Sequence, residues 1–425
     1  MAGRLSWGLG DQAASSLTNF AVGVYVARSL GATAFGIFSL VWVTYSVVLN
    51  LSRGLTTDPL VVRFTGEETA SWREAVSQSS GTALLIGTLT GAVSLLAGLT
   101  LGGPLGAGFV ALGLVLPALL LQDSWRFAFF AVGQGGKAFA NDLVWAATLV
   151  PAMIVADTSG SVFQFVLAWG LSGALAAAYG CLQSRLLPRP GGAHRWLRHQ
   201  RDLGPRYLVE NVSISGSSLL RMYGLGAIAG LADVGAVRGA DLLLGPFIAV
   251  MMGLSLVAVP EAARVLQRSP RRLPLFCLLL GGGQAGAALV WGFGLLFVLP
   301  NNVGQFLLGS VWPSASALIV PAILAVTIGS FFTAAIAGLR ALGTARRSLR
   351  AQLLASAAYV ACGVAGAAVA GALGSSWGVA LAALISAAVS WSQLHIAVRE
   401  QPAQHSPTPP VAPGQQLGHG ETSLP

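Results

Sequence analysis

Long apolar stretches alternate with short polar connections along almost the whole chain. A stretch of about 20 apolar residues is long enough to cross a bilayer as a helix. Twelve such stretches occur, and charged residues, Gly and Pro separate them. The pattern predicts an all-α integral membrane protein with twelve transmembrane helices at these approximate positions: 8–29, 34–54, 77–100, 105–131, 138–156, 161–183, 207–229, 236–258, 274–299, 313–338, 350–372 and 376–396.

The composition indicates the same class of protein. Only 9% of the 425 residues are charged and 54% are hydrophobic, whereas about 25% of the residues in a soluble domain are charged. So few charges cannot cover a water-exposed surface of this size, which excludes a soluble protein. The 54 Gly residues are typical of transmembrane helices that approach one another closely.

The basic residues fall on alternate connections between these segments. Of the 24 Lys and Arg residues, 21 lie near the two ends of the segment array or after the second, fourth, sixth, eighth and tenth segments. Positively charged short loops stay on the cytoplasmic side of a membrane. The distribution predicts a multi-pass protein with both termini in the cytoplasm, and it accounts for the net charge of +9 without a nucleic-acid partner.

The second half of the chain repeats features of the first. Asp11 recurs as Glu210, and the Gly-bounded stretch 31–36 recurs as 230–235, in each case 199 residues later. The repeat predicts two six-helix lobes with the same orientation; the alternative is chance similarity between Gly-rich hairpins. The predicted divisions are an N-terminal lobe (1–184), a basic cytoplasmic linker (185–206), a C-terminal lobe (207–398) and a disordered cytoplasmic tail (399–425).

Two parts of the chain resemble a known family. The stretch DQAASSLTNF at 11–20, followed by ARSLG at 27–31 and FGIF at 35–38, resembles the opening of polysaccharide flippases. These are the Wzx-type members of the multidrug/oligosaccharidyl-lipid/polysaccharide exporter superfamily. The stretch LQDSWR at 121–126, with Gly133 shortly after it, is similar to the same family.

The resemblance implies a V-shaped transporter whose two lobes open a central cavity alternately to either side of the bacterial cytoplasmic membrane. Its cargo would be a polyprenyl-pyrophosphate-linked oligosaccharide for cell-surface polysaccharide biosynthesis. Related lipid II flippases carry a cationic cluster in the middle of their first helix, where this chain has FAVGV at 20–24. That departure argues against a peptidoglycan precursor as the cargo.

Ionisable residues inside apolar segments are the candidate substrate contacts. A cavity that shelters a pyrophosphate and sugars needs cations and hydrogen-bonding groups. Arg221 lies deep in the seventh segment and Asp241 in the eighth; with Arg53 near the cytoplasmic mouth they are the predicted substrate-binding residues. The alternative is that Asp241 pairs with Arg221 or Arg238 and only fixes helix packing.

Other charged residues suggest coupling and gating. Asp11 and Glu210 occupy matching repeat positions and are predicted to bind a coupling H⁺ or Na⁺; helix capping is the alternative. Four residues near the cytoplasmic mouth are predicted to gate the cavity, unless they are ordinary interfacial charges: Asp58, Asp123, Arg126 and Asp142. Four Trp residues near segment ends are predicted interfacial anchors: Trp7, Trp72, Trp312 and Trp377.

The sequence contains no motif for covalent chemistry. It has no nucleophile with a paired base, no phosphate-binding Gly-rich loop and no metal-ligand spacing, so we expect a protein that is not an enzyme, with no cofactor and no metal. The expected partners are a lipid-linked oligosaccharide and membrane lipids. Two alternatives remain: a cation-coupled multidrug exporter of the same superfamily, and a membrane-embedded glycan polymerase or glycosyltransferase.

Overall fold

The structure is a computed structural model that describes the backbone of residues 2–66 and 68–400, and the side chains of these residues apart from 2–15, 210, 255, 256 and 270. Within these ranges the chain is almost entirely helical and contains no strand. The α-helices are α1 (Ala2–Leu55), α2 (Thr57–Arg63), α3 (Ala70–Leu101), α4 (Gly103–Ala131), α5 (Gly135–Asp157), α6 (Val162–Ser184), α7 (Ala193–His199), α8 (Gly204–Ala229), α9 (Leu231–Arg268), α10 (Leu273–Phe293), α11 (Asn301–Leu308), α12 (Trp312–Ser316), α13 (Ile319–Ala341) and α14 (Ala345–Glu400). The all-helical prediction is confirmed.

Nine helices in the described part of the chain are long and apolar enough to cross a membrane. Their outward faces carry large apolar side chains; on α3, Leu89, Val93 and Leu96 are 60%, 67% and 65% exposed. Such faces suit a hydrocarbon solvent rather than water. The seventh predicted segment, 207–229, lies in α8, which is helical but is not among the nine. The fold is that of a multi-pass membrane protein.

The two longest helices, α1 and α14, are each interrupted once. α1 has 54 residues and breaks at Gly31 (φ 72°, ψ 169°), and α14 has 56 residues and breaks at Ala370 and Gly371. Gly tolerates the positive φ that each break requires, because it has no Cβ. Each of these helices therefore consists of two helical segments, both of them longer than the roughly 20 residues that a bilayer needs.

Small residues allow the helices to pack with their backbones in close contact. In the hairpin of α3 and α4, a Cβ added to Gly91 would lie 2.6 Å from the carbonyl oxygen of Gly113. A Cβ added to Gly98 would lie 2.6 Å from the carbonyl oxygen of Gly106. Any larger residue would force these helices apart, so the high Gly content serves helix packing directly.

The helix breaks at Gly31 and Gly230 have the same geometry. Gly230, which separates α8 from α9, has φ 100° and ψ 171°, close to the values at Gly31, and it lies 199 residues further along the chain. The local structure thus repeats at the offset that the sequence motifs show.

Where α1 and α9 cross, residues that are 199 positions apart make equivalent contacts. A Cβ added to Gly36 would collide with the carbonyl oxygen of Leu231, and a Cβ added to Gly235 would collide with that of Ala32. Gly36 and Gly235 are 199 residues apart, as are Ala32 and Leu231. Each segment therefore offers the other the same surface, which is the contact expected across a two-fold axis.

The later helices repeat at a second offset, of 210 residues. α4 ends in a turn at Gly133 (φ 72°), and α13 ends in a turn at Gly343 (φ 70°). Gln134 N donates to Phe129 O over 2.9 Å, and at the same offset Thr344 N donates to Leu339 O over 3.2 Å. α5 and α14 then begin at Gly135 and Ala345. The two halves are therefore comparable position by position from α4 to α6 and from α13 to the end of α14.

The segment between the halves packs against the N-terminal half. Trp196 of α7 is 2% exposed, and its Nε1 donates to Leu55 O over 2.9 Å. Arg63 donates to both carboxylate oxygens of Asp202 over 2.7 and 2.6 Å. A hydrogen bond from its own backbone amide, followed by Arg63, lowers the pKa of Asp202. This ion pair is therefore intact at neutral pH and is lost only as the pH falls through that lowered pKa.

This segment marks one end of the helix bundle, which we call the linker end. The breaks at Gly31 and Gly230 mark the opposite end, because α1 and α8 run the length of the bundle between them. Of the predicted tail at 399–425, residues 399 and 400 belong to α14, and residues 401–425 lie outside the described residues.

Candidate functional site

A cavity of about 440 Å³ lies inside the C-terminal half, between α8, α9, α13 and both segments of α14. Most of its lining is apolar or small. The charged and larger polar residues that line it are Arg221, Asp241, Gln352 and Tyr359. A concave, mostly apolar space with a few polar groups is the usual form of a small-molecule site.

Arg221 is the central residue of this cavity. It is 4% exposed, and its Nη1 donates to the hydroxyl of Tyr359 over 2.7 Å while its Nε donates to Ser375 Oγ over 3.2 Å. Gly363 leaves room for the side chain, since a Cβ there would lie 3.0 Å from Arg221 Cγ. These two bonds use two of the five guanidinium donors, so the group retains donors for an anionic ligand.

Asp241 and Arg221 line the same cavity without an ion pair between them. Among the described residues, neither Asp241 nor Arg238 forms an ion pair. The guanidinium of Arg238 instead lies 5.6 Å from the centroid of the Trp42 ring. Both arginines nevertheless lie close enough to Asp241 to interact with it electrostatically. Substrate binding by these residues, and the alternative that they only fix helix packing, both remain predictions. With two arginines and one carboxylate, this region carries a net positive charge.

A second polar cluster lies in the N-terminal half. Arg53 Nε and Nη2 donate to Asp123 over 2.9 and 2.5 Å, and Arg126 pairs with Asp142 at 3.3 Å. Gln122 Nε2 donates to Asp142 over 3.0 Å. Arg53, grouped with Arg221 from the sequence, therefore belongs to this separate cluster. The predicted gate residues Asp123, Arg126 and Asp142 are brought together here, in a cluster whose charges balance.

The remaining predicted residues are Asp58, Asp11 and Glu210. Asp58 of α2 accepts a hydrogen bond from Asn211 Nδ2 of α8 over 2.7 Å, so it joins the two halves near the linker end. The side chains of Asp11 and Glu210 lie outside the described residues. Among the described residues no group of three His, Cys, Asp or Glu side chains could hold a metal ion.

The Arg53–Asp123 pair gives a stability prediction. Asp123 is 7% exposed at its side chain and Arg53 is 26% exposed, so Arg53→Leu leaves a nearly buried carboxylate without its cation. We expect Arg53→Leu to lower the free energy of unfolding by about 3 kcal/mol, the low end for a broken buried pair. Thermal unfolding of the purified protein in detergent measures the loss. Arg53→Leu with Asp123→Leu should recover most of it, and a double variant no more stable than the single one would contradict this account.

No family model matches the chain, and no curated protein matches it. Several solved structures are similar to the chain. An inward-facing multidrug resistance MATE family transporter of the MOP superfamily superposes with a TM-score of 0.68 at 15% identity, over 90% of this chain and 94% of that one. An outward-facing structure of a MATE family transporter gives a TM-score of 0.56 at 13% identity, over 94% and 95% of the chains.

A flippase is also among the similar structures. The lipid II flippase MurJ, in an inward closed conformation, gives a TM-score of 0.62 at 12% identity, over 91% of this chain and 86% of that one. The chain therefore has the fold of MOP-superfamily transporters. Of the two MATE structures, it is more similar to the inward-facing one.

Proposed function

We propose that the protein is a flippase that moves a polyprenyl-pyrophosphate-linked oligosaccharide across the cytoplasmic membrane by alternating access. The observation that carries the proposal is Arg221, a buried cation with unused donors in the wall of a cavity of about 440 Å³. Placing a charged side chain at membrane depth costs at least about 2.5 kcal/mol on insertion scales, and such residues usually serve a function.

The chemistry of the cavity suits an anionic head group. A pyrophosphate needs charge-assisted hydrogen bonds to replace its water, and Arg221 together with the hydroxyl of Tyr359 offers them. Serines and Gln352 in the lining add hydrogen-bonding groups for a sugar. The predominantly apolar remainder of the wall is compatible with the first isoprene units of a lipid.

In this proposal twelve segments cross the membrane in two six-helix lobes. The breaks in α1 and α14 divide each into two crossing segments. α8 crosses despite its polar residues, of which Ser217, Ser218 and Arg221 line the cavity. The basic linker end faces the cytoplasm, since positively charged short segments stay on that side. Both ends of the array of spans then lie in the cytoplasm, and the membrane is a bacterial cytoplasmic membrane.

Alternating access then follows from the crossing of α1 and α9. Close backbone packing at Gly36 and Gly235 closes the bundle at the end opposite the linker, as in an inward-facing state. Opening to the outside requires this crossing to separate. The coupling ion in this proposal is H⁺ or Na⁺, with Asp11 and Glu210 as its candidate carriers. No covalent step is needed, so the proposal does not involve an enzyme.

A liposome assay tests this function. The purified protein is reconstituted with a fluorescent polyprenyl pyrophosphate that carries a short oligosaccharide, and a membrane-impermeant reductant quenches the label in the outer leaflet. Without flipping, about half of the label is protected; with the protein, we expect nearly all of it to become accessible. If vesicles that contain the folded protein keep half of their label protected, the proposal is contradicted.

A cation-coupled multidrug exporter is the second candidate, and the similarity to MATE transporters supports it equally. In such a protein Asp241, which forms no ion pair among the described residues, would bind an organic cation. Ethidium uptake driven by a proton or sodium gradient in the same liposomes, with no flipping of the lipid, would favour the exporter.

A further inference from the structure

Four aromatic side chains fill the interior of the N-terminal half. We call Trp42, Tyr45, Trp145 and Trp169 the aromatic plug. The ring centroids of Trp42 and Trp169 lie 5.0 Å apart, those of Tyr45 and Trp169 lie 4.6 Å apart at 90°, and those of Trp145 and Trp169 lie 6.4 Å apart. Trp169 is 1% exposed, so the ring at the centre of the plug is buried.

The repeat relates the plug to the Arg221 cavity. Trp42 and Tyr45 correspond to Asp241 and Leu244, 199 residues later. Trp145 and Trp169 correspond to Ala355 and Val379, 210 residues later. All four of these later residues line the Arg221 cavity. The plug and the cavity therefore occupy corresponding places in the two halves.

The polar residues of the cavity have apolar counterparts beside the plug. Val22 lies 199 residues before Arg221, and Leu149 lies 210 residues before Tyr359. Val22 is 6% exposed and Leu149 is 2% exposed, both within the apolar core. The N-terminal half therefore lacks at these positions the cation and hydroxyl that an anion would need.

Packing around Gly173 shows that the N-terminal half is also more densely filled than the C-terminal half. A Cβ added there would lie 2.6 Å from the Leu119 side chain and 3.6 Å from the ring of Trp145. At the offset of 210 residues these three positions are Ala383, Gly329 and Ala355, all in the cavity lining. At these positions the side chains of the N-terminal half are in contact with one another, whereas the smaller residues of the C-terminal half border the Arg221 cavity.

We infer that the anionic head group binds in the C-terminal half alone, and that the aromatic plug narrows the equivalent space in the N-terminal half, where a smaller cavity of about 180 Å³ beside Asp142, Trp145 and Leu149 remains. The inference rests on the proposed function for its ligand, a pyrophosphate-bearing lipid. The ring of Trp42, 5.6 Å from the guanidinium of Arg238, holds that second cation beside the site.

Thiol labelling at matched positions tests where the open site lies. Cys181, Cys277 and Cys362 are first replaced by Ala, and Ser376→Cys in the cavity lining is compared with Val166→Cys, 210 residues earlier. An anionic methanethiosulfonate reagent forms a mixed disulfide with the thiolate and releases methanesulfinate. We expect Ser376→Cys to react at least about tenfold faster, since Val166 is 0% exposed. Equal rates at the two positions would overturn the inference.

Protection by farnesyl pyrophosphate separates the two proposals. We expect this short prenyl pyrophosphate to slow the labelling of Ser376→Cys. Fast labelling of Ser376→Cys that farnesyl pyrophosphate does not slow would count against the ligand of the proposed function. Slow labelling of both positions, or protection only at Val166→Cys, would count against a single site in the C-terminal half.

Exchanging the plug residues between the halves gives an independent test. Val379→Trp places a plug residue in the cavity, and we expect it to abolish binding of farnesyl pyrophosphate to the purified, monodisperse protein. Trp169→Val, the matched change in the N-terminal half, should leave the affinity within about twofold, because no ligand binds there. If Val379→Trp does not fold, Ala355→Leu narrows the same space and should weaken binding by about tenfold. Unchanged binding in the folded C-terminal variant, or a loss confined to Trp169→Val, would overturn the inference.

Discussion

Arg221→Gln is expected to abolish transport of the lipid-linked pyrophosphate while the protein accumulates normally, and Arg221→Lys is expected to retain part of the activity. Gln removes the charge, whereas Lys keeps it but loses the two-point contact with phosphate oxygens that a guanidinium makes. Truncating one partner of a buried charged hydrogen bond weakens binding by about 100-fold. The liposome assay and the affinity for farnesyl pyrophosphate both measure the change.

Two controls separate binding from helix packing. Tyr359→Phe removes one hydrogen bond of Arg221 and keeps the cation, so it should cost much less affinity than Arg221→Gln. The double variant Arg221→Leu with Asp241→Leu should be folded and inactive, because buried charges can often be replaced by apolar residues without loss of stability. An active double variant would reject the binding role of Arg221.

The second large effect is expected at the crossing of α1 and α9. A Cβ on Gly36 or Gly235 would collide with a backbone carbonyl oxygen of the opposite segment, and a backbone atom cannot move aside as a flexible side chain can. We expect Gly36→Ala and Gly235→Ala each to destabilise the state that is closed at this end by about 3 kcal/mol or more, the upper range for overpacking. Transport should fall at least about tenfold, as measured in liposomes.

Gly282→Ala provides the matched control for these variants. Gly282 also lies in a long apolar helix, but a Cβ there would have no atom within 4 Å. Its thermal stability and transport should equal those of the wild type. If Gly36→Ala and Gly235→Ala also had the thermal stability and transport of the wild type, the close approach of α1 and α9 would not be the contact that closes the bundle.

The helices could be predicted from the sequence because a bilayer imposes a length of apolar residues that is visible without any tertiary contact. The direction in which a side chain faces could not be predicted from the sequence. Trp72 and Trp312 were predicted to be interfacial anchors because they lie near segment ends, yet they are 2% and 5% exposed. That prediction is wrong, since position along a helix does not show whether a ring faces lipid or a neighbouring helix. Trp377, 47% exposed, is compatible with an anchor, and the side chain of Trp7 lies outside the described residues.

The candidate site was predictable in part for the same reason. Arg221 is conspicuous as a cation in an apolar segment, but its partners Tyr359 and Ser375 lie on α14, more than 130 residues away, and only the fold brings them together. Asp123 likewise gave no sequence signal that Arg53 would be its partner. In the sequence, the residues of the aromatic plug cannot be told from ordinary core residues. Their correspondence with the lining of the Arg221 cavity is seen only when the two halves of the structure are compared.

The most direct measurement of the central claim is photo-crosslinking of a short prenyl pyrophosphate whose photoreactive group lies next to the pyrophosphate, followed by mass spectrometry of the labelled peptides. The account predicts crosslinks to α8 and α14, around Arg221 and Tyr359, that excess farnesyl pyrophosphate removes and ethidium does not. Crosslinks to α1, α5 or α6 around the aromatic plug, or competition by ethidium alone, would contradict it.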